Sequence, residues 1–118
     1  MQNTVFYLKT CDTCKRIMND LDLHSGFELR EIKSNQITSS ELDEMKELAG
    51  SYEALFSKRS RQYKAKGLKD KDVSESDYRS FILEEYTFLK RPVIFLNNQI
   101  FIGNSKKVME QLRVALSK

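Results

Sequence analysis

Residues 4–18 read TVFYLKTCDTCKRIM, and the two ends of this stretch carry different periods. Thr4 to Leu8 is a β-branched and aromatic run, the composition of a strand. From Cys11 onward the apolar positions are Cys14, Ile17, Met18 and Leu21, spaced three, one and three apart. That spacing lines one face of a helix. A strand therefore runs directly into a helix, and Cys11, with Asp12 after it, stands at the helix start. Cys14 lies one turn further on, on the inward face.

Gly26 closes the turn after this helix. Phe27 and Leu29 then alternate with polar residues, and Ile32 extends the pattern, so a second strand is expected here. Thr38 and Glu41 are spaced as a capping box, with Ile37 and Leu42 as its hydrophobic staple. The helix they open carries Leu42, Met45 and Leu48 and meets Gly50, a natural C-terminal cap. Ser51 to Phe56 reads as a short helical turn. Lys58 to Lys69 holds six basic residues and no acidic one, and reads as a loop with a short helix. Ser74 and Asp77 mark another helix start, followed by Tyr78, Phe81, Ile82, Glu85 and Tyr86.

Pro92, the only proline, precedes Val93 to Leu96, a continuous apolar run suited to a strand buried on both faces. Asn97-Asn98 fits a two-residue hairpin turn, because asparagine tolerates positive φ. Gln99 to Ile102 returns as the partner strand. Asn104 or Ser105 caps a last helix bearing Val108, Met109, Leu112 and Leu116. The element order is β-α-β, several helices, then β-β-α. A β-α-β crossover gives parallel strands and the hairpin gives antiparallel ones. The expectation is an α/β fold with a four-stranded mixed sheet, a single domain over 1–118, and a helical insertion at about 37–88.

Composition narrows the function. A chain of 118 residues with 40% hydrophobic and 31% charged residues is globular in character. A formal net charge of +3 suits anionic small molecules and is too weak to argue for nucleic acid. There is no long apolar run to span a membrane and no signal-peptide pattern at the N-terminus, so a cytoplasmic protein is expected. Charge and size suit a monomer. In a reducing compartment a Cys-x-x-Cys pair reads as redox or metal chemistry. Two thiols and His24 fall short of a four-ligand metal site, so no metal is expected. His24, near a helix end, reads as a solvated or dipole-compensating residue.

At a helix start, unpaired N–H groups and the macrodipole favour negative charge. A Cys11 thiolate there should have a pKa below the free value of about 8.5. Lys9, Lys15 and Arg16 add positive potential, and Asp12 opposes it. Cys11 reads as an exposed nucleophile and Cys14 as a half-buried resolving thiol that displaces product as a disulfide forms. The bland alternative is a small core residue beside an incidental surface thiol. Arg59, Arg61 and Arg91 are candidates for an anion pocket, since the guanidinium fork matches tetrahedral oxyanions. The lysines of the 58–69 run read as a solvated face. Gly103 reads as a turn residue that permits close approach.

Three segments, VFYLKTCDTCKR, LFSKRSRQYK and FLKRPVIFLNNQIFIGNSKKVMEQL, resemble the arsenate reductase family, which includes the Spx-type regulators. The resemblance implies a thioredoxin-like (glutaredoxin-like) fold with a cis proline, here Pro92. It places the nucleophile at Cys11 and oxyanion-binding arginines at Arg59 (or Arg61) and Arg91. A third family arginine would fall where this chain has Ile102-Gly103-Asn104. The implied activity is thiol-dependent reduction of arsenate or another small oxidised or thiol substrate, with no bound cofactor and with glutathione and glutaredoxin, or thioredoxin, as reductant. Cys14 brings the pair nearer the Spx-type regulators, which use the disulfide as a switch and bind RNA polymerase. That is the alternative reading.

Overall fold

The computed structural model describes residues 2–118. The elements in chain order are β1 (Thr4–Tyr7), α1 (Asp12–Asp20), β2 (Glu28–Glu31), α2 (Ser39–Ala49), α3 (Arg61–Ala65), α4 (Glu75–Glu84), β3 (Val93–Leu96), β4 (Gln99–Ile102) and α5 (Lys106–Leu116). Single 3₁₀ turns at Glu53–Leu55, Leu68–Asp70 and Tyr86–Phe88 complete it. The chain divides into two compact units: residues up to Gln36 with Arg91–Lys118, and Ile37–Lys90. Among the described residues, no helix is long and apolar enough to cross a membrane.

The first unit is built on a four-stranded sheet in the order β2-β1-β3-β4. β1 pairs parallel with β2, and β3 pairs antiparallel with β1 and β4. Val5, Ile94 and Phe101 face one another across the three strands. They form one core cluster with Ile17 and Met18 of α1 and Leu112 of α5, so both helices cover the same sheet face. Each such side chain, fully buried, contributes about 1.5–3 kcal/mol. All four residues of β3 are buried, as a strand apolar on both faces requires. The hairpin turn places Asn97 at φ 50° and Asn98 at φ 65°, both left-handed. Asn97 N–H donates to Asn3 Oδ1 at 3.0 Å, which ties the hairpin to the start of β1.

Three details depart from the sequence expectation. Leu29 is 37% exposed, because β2 is an edge strand. Ile32, just past the strand, is buried instead. α4 ends at Glu84, so Glu85 lies outside it and Tyr86 begins a 3₁₀ turn. Gly103 sits at φ 80°, and a Cβ built on it would meet nothing within 4 Å. Its left-handed backbone, not a close approach, is what favours glycine there. Of the two caps expected for α5, Ser105 is the one used, accepting from Val108 N–H at 3.2 Å.

The second unit is helical. Thr38 and Ser74 each head a complete capping box, and Gly50 ends α2 at φ 95°. Phe56 packs against Tyr78 and Phe88 with ring centroids 4.7 and 4.8 Å away. Lys90 N–H donates to Leu55 O at 2.8 Å and Ser57 N–H to Phe88 O at 2.6 Å, which ties residues 88–90 at the end of the unit to residues 55–57 in its middle. Asp43 of α2 takes the Arg79 fork of α4 at 2.9 and 3.2 Å, and Tyr52 O–H at 2.6 Å.

Candidate active site

The chemistry collects at the end of β1. After Tyr7 the chain makes one turn, closed by Cys11 N–H donating to Leu8 O at 2.9 Å, and enters α1. Cys11 is the N-cap residue, with extended backbone (φ −91°, ψ 106°), and its carbonyl accepts the first helical bond from Lys15 N–H at 3.2 Å. Its sulfur makes no regular capping hydrogen bond. Apolar periodicity produces this placement: burying Ile17 and Met18 turns Cys14 inward and leaves Cys11 partly open at the mouth of the helix.

Both cysteines are free thiols, Cys11 partly exposed and Cys14 buried. They are pushed in opposite directions. Partial burial acts to raise the Cys11 pKa. The Cys14 N–H, the Cys14 thiol and the Arg91 guanidinium outweigh it, and the net effect lowers Cys11 below the ordinary thiol value. Cys14 is pushed up to about 12, first by burial and then by the hydrogen bond and negative charge of Cys11. Leu8 N–H and Arg91 oppose that rise. The pair therefore rests as one thiolate-prone sulfur and one neutral thiol. A thiolate is the nucleophilic form, so these surroundings favour Cys11 over Cys14 as an attacking sulfur.

Arg91 and Pro92 come to this site from the far end of the sequence. Pro92 is buried, its bond to Arg91 is cis, and its carbonyl accepts Gly103 N–H at 2.9 Å. Arg91 acts on both sulfurs by charge, and on Cys11 by hydrogen bonding as well. Helix N–H groups, a guanidinium and a thiolate-prone sulfur together offer an anion a binding face and a nucleophile.

Lys15 stands exposed on α1. Arg59 and Arg61 belong to the second unit, both exposed, Arg61 as the first residue of α3. His24 is exposed and pairs its Nε2 with Asn19 Oδ1 at 2.9 Å. Among the described residues, no group of three or more His, Cys, Asp or Glu side chains could hold a metal. Sequence reasoning missed Glu31, whose carboxylate accepts Lys9 N–H at 2.8 Å inside the turn that leads to Cys11. Only a long-range strand pairing reveals it.

The sequence model of the ArsC family matches residues 6–112. The global transcriptional regulator Spx 2 of Lactococcus lactis subsp. lactis is 24% identical over 115 residues, covering 96% of this chain and 85% of that protein. An ArsC-family-related protein of Bacteroides fragilis superposes with a TM-score of 0.79 at 21% identity, covering 95% of this chain and 98% of that one. A "possible arsenate reductase" from Streptococcus mutans UA159 gives 0.74 at 26% identity, with the same coverage of 95% and 98%. The mixed sheet with its helices is the thioredoxin-like fold of these proteins.

Proposed function

The chain belongs to the ArsC family, and we propose that within it this protein is a thiol-dependent oxidoreductase with Cys11 as nucleophile and Cys14 as resolving thiol. The single observation that carries the reading is the Cys11 sulfur at the start of α1, held below its ordinary pKa by the Cys14 N–H, the Cys14 thiol and Arg91. The substrate class is a small oxidised anion or disulfide: arsenate, or a glutathione mixed disulfide.

With arsenate, the Cys11 thiolate bonds to arsenic and water leaves. A second thiol then attacks the Cys11 sulfur. A disulfide forms, the arsenic–sulfur electron pair passes to arsenic, and As(V) becomes As(III). With a disulfide substrate, Cys11 forms the mixed disulfide and expels one thiolate. Cys14 then displaces the other and closes the Cys11–Cys14 bond. Glutathione with glutaredoxin, or thioredoxin, restores the dithiol. Arg91 and the α1 N–H groups hold the anion and meet charge that develops on it.

The test is arsenate-dependent NADPH consumption coupled through glutathione, glutaredoxin and glutathione reductase, run beside reduction of a glutathione mixed disulfide. Turnover in either arm that Cys11→Ser abolishes supports the reading. A Cys11→Ser protein as active as the wild type ends it.

The 24% identical Spx relative favours a second reading, a redox-switched regulator that binds RNA polymerase through the state of the Cys11–Cys14 pair. Pull-down of polymerase by reduced and oxidised protein separates the two. Negligible capture in both states discards the switch.

A further inference from the structure

The backbone that carries Cys11 is fastened by a carboxylate from the next strand. Glu31 ends β2, opposite Tyr7 in the parallel pairing with β1. Its Oε2 accepts Lys9 N–H at 2.8 Å. Its Oε1 accepts Lys33 N–H at 2.9 Å, Ser34 N–H at 2.7 Å and Ser34 Oγ–H at 2.9 Å. Four protein donors thus converge on the carboxylate, three on Oε1 and one on Oε2. Lys9 lies inside the turn that Cys11 N–H closes on Leu8 O. Ile32 N–H donates to Tyr7 O at 2.9 Å, so main-chain pairing continues at the same level. One side chain thus joins the turn before the nucleophile to the turn after β2, through charge-assisted bonds of the stronger kind.

We propose that Glu31 is a positioning residue for the chemistry at Cys11: anchored on Lys33 and Ser34, it fixes the Lys9 backbone and so keeps the Cys11 sulfur in register with the Cys14 N–H and Arg91. The proposal rests on the reading of Cys11 as nucleophile. Charge and clamp predict opposite outcomes. A negative charge near a thiol disfavours the thiolate, so losing the Glu31 charge alone would make Cys11 more acidic. Losing the clamp frees the turn, misaligns the sulfur and makes Cys11 less acidic. In Glu31→Gln the amide presents its NH₂ either to Lys9 N–H or to the Lys33 and Ser34 donors, so one side must part.

The experiment follows iodoacetamide alkylation of Cys11 against pH in reduced wild type, Glu31→Gln and Glu31→Ala, read by mass on the Cys11 peptide. Cys14 is buried with its pKa pushed up to about 12, and any alkylation there is scored separately from Cys11 by fragment mass. Expected is a rise in the Cys11 midpoint in both variants, with the rate at neutral pH falling about threefold for each half unit. An unchanged or lowered midpoint, in variants with wild-type circular dichroism, overturns the proposal. A second measurement needs no variant. The Lys9 amide shift of the wild type should follow Glu31 ionisation, at a midpoint below the ordinary glutamate value. There burial acts to raise the pKa and the Lys9, Ser34 and Lys33 donors outweigh it. A Lys9 amide indifferent to Glu31 ionisation overturns the clamp even if neither variant folds. An ordinary thiol midpoint in wild-type Cys11 would sink the nucleophile reading, and the proposal with it, and shows in the wild-type profile alone.

Discussion

Replacing Cys14 by alanine separates what the buried sulfur does for packing from what it does for Cys11. Cys14 is 0% exposed on the inner face of α1, in line with Ile17 and Met18. Deleting one buried atom of roughly methylene size forfeits about 0.8 kcal/mol of transfer energy. The small void adds about 0.5 kcal/mol. Leu8 N–H loses a weak sulfur acceptor, which costs about 1 kcal/mol at most. Alanine returns up to about 0.7 kcal/mol in helix propensity. The net loss should be about 1–2 kcal/mol, readable as a lower urea midpoint at unchanged slope under reducing conditions. A loss above about 3 kcal/mol would refute this packing account.

The same variant removes a hydrogen bond that favours the Cys11 thiolate. Cys14→Ser restores it, since a hydroxyl can donate to Cys11 and accept from Leu8 N–H. Cys11 alkylation at neutral pH should therefore be slower in the alanine variant than in wild type or the serine variant, while neither variant forms the intramolecular disulfide. Equal rates in all three proteins would show that the Cys14 side chain does not act on Cys11. The pH dependence has a defined sign. The folded pKa of Cys14 lies near 12, above its ordinary 9.0. Its contribution to stability is complete below 9.0 and is lost as pH rises toward 12. The stability difference between wild type and Cys14→Ala should therefore narrow over that interval.

Arg91→Ala should slow Cys11 alkylation at neutral pH about three- to tenfold, the size of a partly water-screened charge-assisted bond; an unchanged rate would remove Arg91 from the site. Leu112→Ala, emptying a fully buried position where α5 meets the sheet, should cost about 2–5 kcal/mol in urea unfolding. In the second unit, hydrogen bonds from Arg79 and then Tyr52 hold Asp43 down at about 2, against an ordinary 3.8. Its contribution is present above 3.8 and lost as pH falls through 2, so Asp43→Asn should flatten the acid limb of the stability profile there, and an unaltered limb would contradict the pairing.

Local chemistry made most of the fold legible. The capping boxes at Thr38 and Ser74, the left-handed Asn97-Asn98 turn and the apolar run of β3 all act within a few residues, and the structure forms them as their side chains dictate. Position in the sheet is a long-range property. Leu29 alternates like a half-buried strand residue, yet only strand order decides that β2 lies at an edge. The site divides along the same line. The Cys-x-x-Cys spacing and the helix start announce the two thiols. That Arg91 acts on both, and that Glu31 grips the turn before them, depends on pairings across 80 and 22 residues of chain, which no local pattern records.

In the proposed mechanism, the opposite shifts of the two thiols would order the steps. At rest, Cys14 is held neutral first by burial and then by the hydrogen bond and charge of Cys11. Once Cys11 is bonded to a substrate atom it carries no thiolate charge, and that part of the restraint on Cys14 disappears. Arg91, which favours negative charge on both sulfurs, then has only Cys14 left to act on. Cys14 becomes a better nucleophile at the stage when a resolving attack is wanted, and stays protonated before it, so the dithiol does not present two competing thiolates. This arrangement suits a substrate that passes through a covalent Cys11 intermediate. Where the family resemblance would place a further oxyanion-binding arginine, the chain has Ile102-Gly103-Asn104, and Gly103 lies at φ 80°, a conformation that arginine adopts only with strain. Under the proposed function, anion binding within the sheet unit would rest on Arg91 and the α1 N–H groups, which would favour the disulfide arm of the substrate class over free arsenate, since attack on a disulfide requires less charge to be held in place.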